Sequence, residues 1–306
     1  MKKILFDKRK VRFFFLHAIV LVVFGMFFLK YAEEIVEIKE RIRHEIRYHR
    51  NETRVDFTNY PVIAHGDGAW YENTPLIYHG GGGIDGCDYT NSKEALEQTL
   101  AAGHKYVEID FLYTSDEHLV CAHYWSSLYN DEKIPDLEEF QSLKIFGKYT
   151  SMTAEQLITY MEEYEDLHII IDTKEEDYRK VIFDLVKLSS FDRNITNRFI
   201  IQLYEEGTKD QFQNIYPFKD ENFLFTTYKY STEYTNKIMN LCYEENIAVI
   251  TVPYDAWNKE TVEAFRKKGF IIYEHTVNRP HLAQASLEKG ISGFYTDYLT
   301  EDDLKY

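Results

Sequence analysis

Three cysteines in 306 residues are too few, and odd in number, to build a disulfide framework. Cys87, Cys121 and Cys242 also lack the spacing of a zinc site. One bridge between Cys87 and Cys121 is open in an oxidising compartment; so are three free thiols. Positive charge is scarce too. Lys and Arg number 35 against 51 Asp and Glu, a net −16. The local excess of cations lies at the start, where Lys2, Lys3, Lys8, Arg9, Lys10 and Arg12 face only Asp7. The remainder is therefore more acidic than the whole. A nucleic-acid footprint needs a basic face, so nucleic acid is excluded as a partner. The glycine run Gly80–Gly83 lacks the Lys-Ser/Thr of a nucleotide P-loop, which excludes ATP and GTP binding of that kind.

Phe13 to Leu29 is apolar throughout except for His17. A membrane helix needs roughly 17–25 such residues. A cleaved signal peptide is the rival, but Lys30-Tyr31-Ala32-Glu33-Glu34 follows, with no small-x-small cleavage pattern. The reading is an uncleaved anchor over 13–32, with basic residues 1–12 cytoplasmic and the rest outside the cytoplasmic membrane. Residues 33–50 alternate Glu with Lys and Arg and carry Ile and Val at helical spacing, as a stalk would. Residues 51–74 show no clear period and read as linker, so stalk and linker span 33–74.

From Pro75 a rhythm begins. Apolar runs fall at 75–78, 105–112, 119–123, 168–173, 199–203, 222–226, 248–252, 270–274 and 292–296. Helical patterns lie between most of them, at 91–102, 153–164, 177–189, 231–245, 259–268 and 281–289. Such alternation gives parallel strands with right-handed crossovers. The gap between the second and third runs is too short for a crossover helix. Thr114–His118 is instead a hairpin turn, and the third run a return strand that brings His123 opposite Glu108. Eight parallel strands remain, which predicts a (β/α)8 TIM barrel over 75–306. An open doubly wound sheet is the alternative.

A barrel does its chemistry at the C-terminal ends of its strands. His79, Glu108, Asp110, His123, Asp172, Lys174, Asn278 and Asp297 all fall at such ends. One polar residue ending a strand is ordinary; a complementary set on one rim is not. Glu108, Asp110 and Asp172 offer the oxygen ligands that Mg²⁺ or Ca²⁺ takes. Lys174 can stabilise charge on a phosphoryl oxygen or pair with Asp172. Two histidines flanking a phosphate can exchange protons with the attacking and leaving oxygens. The glycines after His79 let backbone approach a phosphate, or supply a flexible loop. His275 could line the pocket or serve packing.

These motifs, in this order, resemble the glycerophosphodiester phosphodiesterase family of the phosphatidylinositol phospholipase C-like barrels. The resemblance rests on His79-Gly80-Gly81, Thr90-Asn91-Ser92, Glu108-Ile109-Asp110 and His123-Tyr124. It continues through Asp172-Thr173-Lys174, Thr276-Val277-Asn278, Gly290-Ile291-Ser292-Gly293 and Thr296-Asp297. The chain departs from the family where Gly80 replaces an Arg, Thr90 a metal-binding carboxylate, Asp172 a Glu, and Tyr124 the Asp of a His-Asp pair. Without that carboxylate the set looks more like the sphingomyelinase D branch. Ile63-Ala64-His65-Gly66 with Glu72-Asn73-Thr74 mimics the family's opening but lies one segment too early.

The resemblance implies a membrane-anchored, metal-dependent phosphodiesterase. His79, His123 and Lys174 would be catalytic, and Glu108, Asp110 and Asp172 would hold Mg²⁺ or Ca²⁺. Gly80, Gly81, Lys174 and Asn278 would bind substrate. The expected substrates are glycerophosphodiesters, phospholipid head groups or envelope polymers. The alternatives are a non-catalytic envelope protein that binds a phosphorylated glycan or lipid, and a metal-dependent hydrolase of another ester class.

Overall fold

The computed structural model describes residues 57–305, apart from 59, 67, 126–132, 205–207 and 230. The predicted anchor and stalk, 13–50, lie outside the described residues. Among the described residues, no helix is long and apolar enough to cross a membrane.

Among the described residues twelve strands form, in chain order. They are β1 (Leu76–Tyr78), β2 (Tyr106–Tyr113), β3 (Leu119–Cys121), β4 (Lys144–Ile145), β5 (Tyr149–Thr150) and β6 (Met152–Thr153). They continue with β7 (His168–Thr173), β8 (Phe199–Leu203), β9 (Phe223–Thr226), β10 (Val249–Pro253), β11 (Ile271–His275) and β12 (Gly293–Thr296). Strands β1, β2 and β7 to β12 pair in parallel around a ring. The ring closes where β1 meets both β12 and β2, so this is an eight-stranded barrel and not an open sheet. Helices over Lys93–Ala101, Ala154–Glu163, Tyr178–Leu188, Thr232–Glu244, Lys259–Lys267 and Pro280–Lys289 match the six predicted patterns to within a few residues.

The chemistry of each boundary is local. Ser92, Thr153, Asp177, Ser231 and Asn258 each cap a helix by accepting a backbone N–H of its first turn. Strands such as Ile169-Ile170-Ile171 and Phe199-Ile200-Ile201 are apolar on both sides because barrel and helices cover both.

Strand β3 returns antiparallel to β2, with Phe111 opposite Cys121 and Tyr113 opposite Leu119. Ala122 N–H donates to Asp110 O, so position 122 and not 123 faces Asp110. The predicted pairing of Glu108 with His123 is therefore one residue out of register. The ladder ends at Cys121, and His123 reaches the rim from the turn that follows. Strand β6 adds to β3, and β4 and β5 make a small separate hairpin; none of these three was visible as an apolar run.

Residues 57–74, which lack a sequence period, close the N-terminal mouth of the barrel. Phe57, Ile63, Trp70 and Tyr71 are buried in the main core. Ile63 N–H donates to Lys268 O, and the Trp70 indole N–H donates to Glu221 O at 2.8 Å. His65 is exposed here, hydrogen-bonded to Gly269 O just before β11. It sits at the opposite end of the barrel from His79. The three cysteines are free thiols.

Candidate active site

The C-terminal rim is built strand by strand. β1 ends at Tyr78, and His79 begins a tight turn in which Gly80, Gly81 and Gly82 have φ of 56°, 87° and 96°. That left-handed path is one that glycine takes without steric cost. It turns Gly80 N–H onto Glu108 Oε2 at 2.7 Å. Glu108 and Asp110 lie two apart on β2 and so share its inner face. Asp172 stands level with Asp110 on the neighbouring strand β7. The three carboxylates place oxygens within 4.8 Å of one another, all buried.

Each carboxylate is held. Asn91 grips Asp110 twice: its Nδ2 donates to Asp110 Oδ2 and its Oδ1 accepts the Asp110 N–H, both at 2.9 Å. Asp172 accepts from its neighbour Thr173 N–H and from Lys174 Nζ, each at 2.8 Å, and from the Tyr204 hydroxyl at 2.5 Å. Burial pushes the Glu108 carboxyl well up, and the charges of Asp110 and Asp172 add to the rise. Burial and then the charge of Asp172 push Asp110 up to about 6. Three acids crowded this way, with oxygen donors only, fit a hard divalent cation.

The histidines stand in different settings. His79 Nδ1 hydrogen-bonds Asp297 Oδ1 at 3.0 Å, and its Nε2 lies 4.0 Å from Glu108. Burial opposes its charge. The hydrogen bond to Asp297 and the charges of Glu108, Asp297 and Asp110 outweigh that and raise its pKa to about 9. His123 Nε2 lies 3.6 Å from Asp110 Oδ1, while its Nδ1 is buried without a partner among the described residues. Burial, with Lys174 and His79 adding, lowers it to about 4. Tyr89 touches both rings, its centroid 4.2 Å from that of His79 and 4.6 Å from that of His123.

All the residues singled out for catalysis and metal binding thus meet on one rim. Asn278 stands beside Asp297. Its Nδ2 donates to Asp297 Oδ2, and its Oδ1 accepts from Asp297 N–H and the Thr296 hydroxyl. These bonds let it brace Asp297 behind His79. Gly80 contributes its N–H to Glu108, and Gly81 O accepts from the Thr99 hydroxyl at 2.8 Å. Thr90 is buried and hydrogen-bonded to the Ser92 hydroxyl. The bracing roles of Asn91 and Asp297 were not apparent from their motifs. Tyr89 and Tyr204 belong to no recognisable motif, and only the fold brings them in.

The sequence matches the model of the glycerophosphoryl diester phosphodiesterase family over residues 79–301. No curated protein sequence matches it. Solved structures share the fold. A glycerophosphodiester phosphodiesterase from Parabacteroides distasonis is 20% identical, with a TM-score of 0.59 over 76% of this chain and 95% of that one. A phosphodiesterase from Oleispira antarctica, in complex with the product sn-glycerol-3-phosphate, is 16% identical, with a TM-score of 0.60 over 74% and 93%. The Thermotoga maritima glycerophosphodiester phosphodiesterase is 22% identical, with a TM-score of 0.53 over 74% and 95%.

Proposed function

The chain belongs to the glycerophosphoryl diester phosphodiesterase family, whose members are phosphoric diester hydrolases, and from that premise we propose a membrane-anchored, metal-dependent enzyme acting through two histidines. The observation that carries the mechanism is the convergence of three buried carboxylates, from β2 and β7, with His79 and His123 beside them. Glu108, Asp110 and Asp172 would hold Mg²⁺ or Ca²⁺. A cation bound there supplies Lewis-acid polarisation of a phosphoryl oxygen.

The protein's own groups do the rest. Asp297 fixes the ring of His79 through Nδ1, which leaves Nε2 for proton transfer. His123 works from the other side, and the two rings share the acid and base roles. Lys174, held on Asp172, adds positive charge near the phosphoryl oxygens. The turn of Gly80 and Gly81, tied to Glu108 through Gly80 N–H, would flank the bound substrate. The substrate class is a phosphodiester with an alcohol leaving group, drawn from glycerophosphodiesters, lipid head groups or envelope polymers. The apolar run within 13–32 and the basic residues before it support an anchor with the barrel outside the cytoplasm.

The test uses the full chain in isolated membranes and after detergent extraction. Turnover of bis-(p-nitrophenyl) phosphate and a glycerophosphodiester is measured with Mg²⁺, with Ca²⁺ and with EDTA. Metal-dependent turnover should sediment with the membranes. It should fall by a factor of at least about 10² in His79→Ala and in His123→Ala, as expected when a general acid or base is removed. Turnover unaffected by EDTA would reject the metal, and full activity in either variant would reject the two-histidine mechanism.

A further inference from the structure

Tyr89 stands at this site without belonging to any recognisable motif. Its backbone is left-handed, with φ 52°, a conformation that bulky residues rarely hold without a reason. A Cβ at position 80 would come within 2.9 Å of Tyr89 Cα, so the backbone of residue 89 packs directly against the turn after His79. From there the Tyr89 ring meets both His79 and His123 in edge-to-face contact. An acid/base pair has to straddle the reacting phosphorus, so a ring that touches both histidines forms a wall of the gap where the phosphoryl group must sit.

The polar groups around that gap are largely committed. The amide of Asn278 serves Asp297 and Thr296. Lys174 is drawn onto Asp172. Gly80 N–H serves Glu108. The Tyr89 hydroxyl, by contrast, has no hydrogen-bond partner among the described residues. We propose that Tyr89 is a substrate-binding residue whose hydroxyl donates a hydrogen bond to a non-bridging oxygen of the phosphodiester, between the two histidines. The inference rests on the phosphodiesterase reading above and names a phosphoryl ligand that no motif in the chain supplies. Burial, and then the charges of Asp297, Glu108 and Asp110, push the phenol upward, which keeps it protonated as a donor. A neutral donor also avoids adding a second cation beside Lys174.

A ring that merely props the two imidazoles apart is the competing explanation, and two substitutions separate them. Tyr89→Phe keeps the ring and removes the hydroxyl; Tyr89→Ala removes both. The full chain in detergent is assayed with bis-(p-nitrophenyl) phosphate, and binding of inorganic phosphate is titrated calorimetrically with Mg²⁺ present. A hydrogen bond to a charged oxygen predicts that Tyr89→Phe lowers kcat/KM about tenfold or more and weakens phosphate by a similar factor. Its thermal midpoint should match the parent. Unchanged kcat/KM and unchanged phosphate affinity in Tyr89→Phe would overturn the proposal, and losses confined to Tyr89→Ala would show a packing wedge. If the parent chain turns over no phosphodiester, the phosphodiesterase reading fails. The phosphate titration then still decides Tyr89: equal affinity in parent and Tyr89→Phe rejects it, and a tenfold gap supports it.

Discussion

His275 ends β11 on the inner side of the barrel, two residues on from Tyr273, with Glu274 between them turned outward. Its ring meets Tyr228 at 5.2 Å and Tyr295 at 6.2 Å, and its Nε2 is buried without a partner among the described residues. Burial lowers its pKa from 6.5 to about 4; His79 and Lys174 push the same way, and Asp172 opposes them. The folded state therefore binds fewer protons than the unfolded state between those two values. Stability from this residue is complete above pH 6.5 and is lost as pH falls toward 4. The shift corresponds to about 3 kcal/mol. Chemical denaturation from pH 7.5 to 4 should show that decline, and His275→Phe should flatten it by a comparable amount. An unchanged slope in the variant would place the acid sensitivity elsewhere. Single residues also mark how far sequence reading reached. His79, Glu108, Asp110, His123 and Asp172 could be picked out because chemically reactive types ended apolar strands. The partnership of His79 with Asp297 joins positions 218 apart, and no local pattern encodes it. Tyr204 reaches Asp172 from the end of another strand and carries no signature at all.

Strands and helices were legible where burial imposes a period and a cap residue marks the start. The short strands β4, β5 and β6 were not, because two-residue strands have no period to read. The β2–β3 register slipped by one because it depends on where the turn centres, and hydrophobicity leaves that undetermined. What pattern hides altogether is the mounting of one element on another, and β11 gives the example. Glu274 looks like one polar residue in an apolar run. It is in fact fully buried and faces the helix Pro280–Lys289. There it accepts from the Ser286 hydroxyl and from Lys289 Nζ, the latter at 3.3 Å. Lys289 Nζ also reaches Asp255 at 3.0 Å, and Asp255 N–H donates back to Glu274. Two carboxylates share one buried ammonium, and this ties β10, β11 and the helix together beside His275. Lys289→Ala would take from buried Glu274 and Asp255 the ammonium that they share. Removing one partner of a buried pair costs about 3–5 kcal/mol. Urea unfolding should show a loss of that size, with a smaller loss in Lys289→Ala/Glu274→Gln. Equal losses in the single and double variants would mean that the ammonium does not act through Glu274.

Across the whole molecule, the two ends of the barrel have separate tasks. The C-terminal rim collects acids whose burial, and then mutual repulsion, raises their pKa values, an arrangement that favours binding over stability. The N-terminal mouth is sealed by residues 57–74 with aromatic packing. Trp70 lies 5.8 Å from Tyr106 at the start of β2 and 6.0 Å from Tyr273 in the middle of β11, ring to ring. The Tyr273 hydroxyl then donates to Thr74 O at 2.5 Å, which fastens the plug from inside the barrel. No periodicity announces this segment because it forms neither a long helix nor a strand; its apolar residues are placed by the shape of the opening they fill. Trp70→Ala would vacate the largest part of the plug. Truncating a buried Trp costs about 3–5 kcal/mol. In a barrel, residues at this end act on stability, and those at the other end on chemistry. The variant should therefore unfold several degrees earlier yet keep kcat/KM within about twofold of the parent at a temperature where both are folded. A matching loss of kcat/KM under those conditions would mean that the plug and the rim are mechanically coupled through the barrel strands.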